Sequence, residues 1–236
     1  MTANAAQILR RTSGEMEFAG EPAVCDCSGA LYFPDQHLLI VSDLHLEKGS
    51  AFARRGVMAP PYDTASTLLA LQTAIHNYQP RTVISLGDSF HDGWGAERLP
   101  LPYKHSLLTM MAGRHWIWVA GNHDPDAPTG LPGMTVSEIA VGALRFRHEP
   151  SRSAAAGEVA GHLHPAARII QRGRSVRRRC FVSDGERLIM PAFGAYTGSL
   201  NVLDKAYRGL FRADRLIAYM IGENRIYPIP GHMLRP

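Results

Sequence analysis

Cysteine is scarce in this 236-residue chain, which has only Cys25, Cys27 and Cys180. Three are too few and too irregularly placed for a disulfide framework. Cys25 and Cys27 form a C-x-C pair, not the C-x-x-C of a zinc ribbon. A reducing cytosol fits such a chain, so a cytoplasmic protein is expected. No apolar run approaches the roughly 18 residues of a membrane span, so none is expected. Met1 to Glu17 contain no apolar core of about 7–15 residues, so no secretory signal is expected. Charge is also modest, at 19% of residues with a net +4 and a pI near 9.1. That mild basic balance permits a nucleic-acid partner without proving one. What the chain does have is 45% hydrophobic residues, enough for one large core. With no internal repeat and no dividing linker, a single domain over residues 1–236 is expected.

Three short apolar runs, residues 37–41, 82–86 and 116–120, have the composition of buried strands. Two helical patterns lie between them. One covers residues 64–78, with Leu68, Leu71 and Ile75 at helical spacing and Asp63 as N-cap. The other covers residues 101–112, with Pro102 in the first turn. Strand, helix, strand, helix, strand is a layered α/β arrangement. Its site should lie beyond the carboxyl ends of the strands. After a Pro/Gly-rich loop at 125–133 come shorter strands at 143–147, 157–160, 179–183, 187–190 and 216–220. Asp184-Gly185 and Asn224 mark turns. The N-terminal piece, including Ala30 to Phe33, should add edge strands. The expected fold is a β-sandwich of two sheets flanked by helices.

Five islands end these apolar runs: Asp43-Leu44-His45, Gly87-Asp88, Gly121-Asn122-His123-Asp124, His148, and Gly161-His162-Leu163-His164. Their oxygen and imidazole donors suit divalent manganese first, with iron or zinc as alternatives. Two such ions roughly 3.5–4 Å apart clamp a phosphate and generate hydroxide at neutral pH. Asp-x-His after a strand should point both side chains one way, because alternate residues of a strand share a face. Asp43 and His45 would then hold one ion. Asp88, with two oxygens, would bridge both ions. Asn122 and His148 would serve the second, while His162 and His164 would give one imidazole to each. His123 would stabilise charge and protonate the leaving oxygen, oriented by Asp92 or His91.

Together these islands resemble the calcineurin-like metallophosphoesterase superfamily, over residues 38–165. The resemblance implies a dinuclear β-sandwich phosphoesterase. It places Asp43, His45, Asp88 and His164 on one ion, Asp88, Asn122, His148 and His162 on the other, and makes His123 the acid. A narrower match runs through Asp43 to Gly49, Phe52 to Gly56, Pro60-Pro61-Tyr62-Asp63-Thr64 and Gly87 to Asp92. These segments resemble the bacterial ligase-associated DNA-damage-response endonucleases, which implies a DNA substrate and an association with a ligase or helicase repair system. Gly87-Asp88-Ser89-Phe90-His91 also resembles a motif of double-strand-break-repair nucleases, which makes His91 a second catalytic candidate. Gly93-Trp94 after Asp92 departs from the Ser/Thr protein phosphatase pattern.

Charged residues outside the islands have plainer alternatives. Arg54 and Arg55 are either a solvated loop or a bidentate grip on phosphate. Arg172, Arg174, Arg177, Arg178 and Arg179 are either a solvated hairpin tip or a contact to a DNA backbone. Trp116 and Trp118 belong to the core, whereas Trp94 can stack on a base. The expected activity is metal-dependent phosphodiester hydrolysis, on DNA. The alternatives are a phosphatase or pyrophosphohydrolase on small substrates, and a scaffold without catalysis. The intact donor set argues against the scaffold.

Overall fold

The computed structural model describes residues 13–58, 60, 62–153 and 156–236. Residues 1–12, part of the segment expected to carry no secretory signal, lie outside the described residues, as does Pro61 of the Pro60-Pro61-Tyr62 match. The fold is mixed α/β with two many-stranded sheets, as the sequence led us to expect.

The first sheet contains β1 (Ser13–Phe18), β2 (Glu21–Asp26), β3 (Leu31–Phe33), β4 (Leu38–Val41), β5 (Thr82–Leu86), β6 (His115–Val119) and β7 (Met134–Val136), in that spatial order. Strands β1 to β4 form an antiparallel meander, and β4 to β7 run parallel. Parallel neighbours need crossovers. Helices α1 (Lys48–Arg54) and α2 (Asp63–Tyr78) link β4 to β5, and α3 (Gly95–Arg98) and α4 (Leu101–Met111) link β5 to β6. The second sheet contains β8 (Glu138–Val141), β9 (Leu144–Arg147), β10 (Glu158–Ala160), β11 (Pro165–Gln171), β12 (Arg174–Ser183), β13 (Arg187–Ile189), β14 (Leu200–Asn201), β15 (Ile217–Ile221) and β16 (Ile226–Pro230). Its main path is β14-β11-β12-β13-β10-β9-β8, with β15 and β16 branching from β12.

Period-two alternation splits the buried residues between layers. Ile40, Ile84, Leu86, Ile117 and Val119 of the first sheet pack against Phe146, Val159, Phe181 and Leu188 of the second. From the other face of the first sheet, Leu39, Val41, Val83, Trp116 and Trp118 pack under Leu68, Leu71, Ile75, Leu107 and Met110 of the helices. Strands buried on both faces read as continuous apolar runs, which is why β4, β5 and β6 stand out in the sequence. Each such side chain contributes about 1.5–3 kcal/mol. A third cluster covers the outer face of the second sheet, with Ala167, Cys180, Val182 and Met220 under Tyr207, Leu210 and Leu234. Among the described residues no helix is long and apolar enough to cross a membrane.

Three local expectations are corrected. Ala30 to Phe33 do not make an edge: β3 lies between β2 and β4, and β1 is the edge. Asp63 is not the N-cap of α2 but its first residue. Its carboxylate accepts from the Gly49 N–H at 2.9 Å and so ties α1 to α2. The arginine cluster is not a hairpin tip, because β12 begins at Arg174 and pairs with β11 along its length to Arg179. Only Arg172 sits in the turn, with a left-handed φ of 50°.

Candidate metal centre

All five islands emerge just past the carboxyl ends of β4, β5, β6, β9 and β10. Asp43, His45, Asp88, His162 and His164 all have left-handed backbone, with φ between 44° and 66°. Such conformations strain non-glycine residues and cluster at functional sites. The same-face argument for Asp43 and His45 is therefore corrected, since their segment is not an extended strand.

Hydrogen bonds hold this strained backbone. The Asp43 N–H donates to the Gly87 carbonyl at 3.1 Å and the His45 N–H to the Asp88 carbonyl at 2.9 Å. Asp43 Oδ2 accepts from the His162 N–H at 3.1 Å, and Asp88 Oδ1 accepts from the His123 N–H at 2.9 Å. Each aspartate thus pins a neighbouring loop with one oxygen and turns the other inward. The motif glycines allow the approach: a Cβ on Gly87 (φ +79°) would collide with the His148 ring, and one on Gly121 with Asp88.

Among the described residues a rim trio, His45/His91/His123, and two deeper groups, Asp43/His45/His164 and Asp88/His148/His162, could each hold an ion. The donor atoms of each group lie within 4.8 Å of one another, and the carboxylates belong to the two deeper groups. Asp88 Oδ2 stands between them, 3.8 Å from His45 Nε2 and 3.4 Å from His148 Nε2. His148 Nδ1 lies 3.0 Å from the Leu86 carbonyl, which can only accept, so this nitrogen carries hydrogen. In neutral His148 the Nε2 lone pair then faces Asp88 Oδ2, Asn122 Oδ1 at 3.0 Å and His162 Nδ1 at 3.2 Å. His164 repeats the pattern, with Nδ1 on the Gly198 carbonyl at 3.2 Å and Nε2 3.1 Å from Asp43 Oδ1. That buried oxygen has no hydrogen-bond partner of good geometry. Acceptors converging on acceptors call for a cation, and this nitrogen and oxygen set fits divalent first-row metals. The carbonyls behind the two imidazoles fix their tautomers as second-shell partners of metal ligands do.

Electrostatics follow the same geometry. Burial opposes charge on His148, yet Asp88 and Asp43 beside it raise its pKa to about 9. Burial also opposes charge on Asp88, and the facing His148 overrides it and brings the pKa down to about 2. For His45 burial prevails over both aspartates and lowers the pKa to about 4.

His123 stands at the rim, partly exposed. Its Nδ1–H donates to the His91 carbonyl at 2.9 Å, its ring stacks on His91 at 5.3 Å, and its Nε2 lies 4.0 Å from Asp88 Oδ2. The His91 backbone therefore orients it, and the expectation for Asp92 is corrected. Asp92 instead forms a bidentate pair with Arg98 at 2.8 and 3.0 Å and caps the Trp94 N–H. Arg98 also reaches Ser50 of α1, so this pair ties the His91 loop to that helix. His91 Nδ1 is 3.4 Å from His45 Nδ1. Burial, then the charge of Lys48, lowers the His91 pKa to about 4.

Of the arginines, Arg54 ends α1 and Arg55 caps it, both exposed, and the charge of Arg55 reaches His91. The other three separate. On a strand, Arg177 and Arg179 share one face and Arg178 takes the other. Arg177 donates to the Ser199 carbonyl at 2.7 Å. Arg178 lines a groove with Ile169, Val176 and Met220 on the far side. Arg179 is a half-buried clamp on the carbonyls of Ala192 and Ser28, so a joint DNA contact by all three is corrected.

Two contributors escaped the sequence. Residues 193–198 form a wall of the site: the Phe193 and Gly194 N–H groups donate to Ser42 and Asp43 carbonyls, and Gly198 orients His164. These are backbone groups, which no residue type announces. Asp124 was visible in its island but without a role. Its Oδ2 accepts from the Phe90 N–H at 3.0 Å, and burial, with Asp88 nearby, raises its pKa to about 7.

The family model for calcineurin-like phosphoesterases matches residues 37–189. Among solved structures, the Pseudomonas putida nuclease MPE superposes with a TM-score of 0.72 at 24% identity. The match covers 92% of this chain and all of that one. The phosphoesterase Yfce from E. coli matches with a TM-score of 0.40 at 15% identity, over 82% of this chain and 98% of that one. No curated protein matches the chain.

Proposed function

This chain belongs to the calcineurin-like phosphoesterase family and is a metal-dependent phosphoesterase, and from that premise we propose that it cleaves phosphodiester bonds of DNA through a dinuclear centre. One observation carries the reading: Asp88 Oδ2 stands between two donor groups, with His123 Nε2 facing it from the rim. Asp43, His45, Asp88 and His164 would hold one ion, and Asp88, Asn122, His148 and His162 the other. When bound, two divalent ions supply Lewis-acid stabilisation of the phosphate and an acidified water.

The chain's own residues complete the chemistry. His123 keeps Nδ1–H on the His91 carbonyl, takes a second proton at Nε2 and delivers it to the leaving oxygen. His91 sets the ring plane by stacking and supports His45 through the contact between their Nδ1 atoms. Lys48 and Arg54 of α1, with Arg55 at its C-cap, offer cations to phosphates flanking the cleaved bond. Trp94, 62% exposed in the loop after His91, offers a face to a base. The likeness to a nuclease from Pseudomonas putida supports a nucleic-acid substrate, and the resemblance to repair endonucleases supports DNA; a role in DNA repair is part of the same reading.

The test is manganese-dependent hydrolysis of an aryl phosphodiester, an aryl phosphomonoester and DNA, with iron and zinc compared. Turnover of diester and DNA is expected. Turnover of the monoester alone would move the function to a small-molecule phosphatase, and no turnover with any metal would leave a scaffold.

A further inference from the structure

Arg179 borders a cavity of about 310 Å³ that the hydrolytic chemistry does not use. Its polar wall comes from Ser28, Ser66, Thr67, Arg179, Gly194 and Thr197, and among the described residues no carboxylate lines it. The guanidinium is fixed by three backbone carbonyls, those of Ala192 (3.1 Å), Ser28 (3.0 Å) and Cys27 (3.4 Å). None of these neutralises its charge, and a guanidinium has five N–H donors. Of the two acidic groups whose fields reach it, the Cys27 thiol is pushed up to about 11 by burial, and Asp26 has its oxygens engaged by the Ser28 N–H and the Tyr78 hydroxyl, both at 2.7 Å. Thr67 Oγ1 accepts from the Ala195 N–H at 3.1 Å, and Ser28 Oγ from the Ala30 N–H at 3.3 Å. Both hydroxyls therefore keep their own hydrogens to donate.

The Thr197 hydroxyl is spent on the Gly194 carbonyl at 3.0 Å, but a fixed cation sharing a cavity with the Ser28 and Thr67 hydroxyls, in a space at the lower end of ligand pockets (roughly 300–1,000 Å³), suits an oxyanion. We propose that this cavity binds a phosphate group, distinct from the one at the metal centre. Its source is either free phosphate or a backbone phosphate of a nucleic acid. The site is coupled to the centre through one loop. Ala195 anchors that loop to Thr67 on the cavity side, while the Gly194 N–H holds the Asp43 carbonyl at 3.1 Å and Gly198 holds His164. An occupant on one side of the loop stiffens the support of two metal ligands on the other.

The test uses the manganese-loaded full chain. Equilibrium dialysis of inorganic phosphate is expected to count two sites, and crystals soaked in tungstate to show a peak beside Arg179 as well as one at the metals. Ser66→Asp places a carboxylate at an exposed position on the cavity wall and should weaken the second site by about tenfold or more. Arg179→Ala should abolish it. Because that variant also removes the clamp on Ala192 and Ser28, Ser66→Asp carries the test if Arg179→Ala fails to fold. A raised oligonucleotide KM in Ser66→Asp would assign the site to a backbone phosphate; an unchanged KM with phosphate binding lost would assign it to free phosphate. A single phosphate site at the metals, or a second site indifferent to both substitutions, overturns the proposal.

Discussion

The floor and the rim of the centre are built differently. On the floor, Asp43, His45, Asp88 and His148 are buried and sit on strained or strand-terminal backbone, and the N–H groups of Asp43 and His45 donate to the carbonyls of Gly87 and Asp88. On the rim, His123 is exposed and His91 is half-buried, with cations from α1 close by. The floor is arranged to gather positive charge, and the rim to meet substrate. Removing a floor residue should therefore lose metal and activity together, while removing a rim residue should lose activity alone.

The largest effect is expected from His148→Ala. It deletes a buried imidazole that faces Asp88 and Asn122, so metal content should fall below two and turnover should drop to background. Full metal content in this variant would erase the distinction. Next, His123→Ala should keep both ions and lose about 10²–10⁴-fold in turnover, the usual worth of a positioned acid. Metal loss on titration would move His123 to the floor.

A pH experiment sharpens the floor's side of the comparison. His148 has its pKa raised to about 9 by Asp88 and Asp43, against burial. The protonated pair stabilises the metal-free fold at and below the ordinary histidine value, and that stabilisation is lost as pH rises through about 9. In chelator the melting temperature should fall between about pH 6.5 and 9, and manganese should remove the fall. A flat profile in chelator would contradict the pairing.

Smaller effects belong to the supports. Arg98→Ala frees Asp92 and the Trp94 loop, and should cost about tenfold in kcat with metals retained, the lower end for an outer support. Smallest of all, Arg54→Ala with Arg55→Ala should leave aryl diester turnover unchanged, weaken DNA binding and flatten its salt slope by about one or two ions. An unchanged slope would return both residues to plain solvation.

Much of this was legible in the chain. Strands β4, β5 and β6 are apolar on both faces, and each ends in a short polar motif, so their position and the donors beyond them could be named together. The second sheet was harder. Strand β16, Ile226–Pro230, carries Pro228 and Pro230, which argue against a strand unless it lies at an edge, as it does. Strand β12 was seen only from Arg179 onward, because three arginines disguise the rest. The carbonyls of Leu86, His91 and Gly198 orient three imidazoles, yet a backbone group has no signature in sequence. Arg179 misled for a related reason, since its partners are carbonyls brought from residues 28 and 192 by the fold.

The central claim is that one oxygen of Asp88 joins two metal sites. Counting manganese by equilibrium dialysis in the native chain and in Asp88→Asn, with aryl phosphodiester turnover on the same samples, tests it directly. The account expects two ions and turnover in the native chain, and fewer than two ions with no turnover in Asp88→Asn. Two ions and near-native turnover in Asp88→Asn would contradict it.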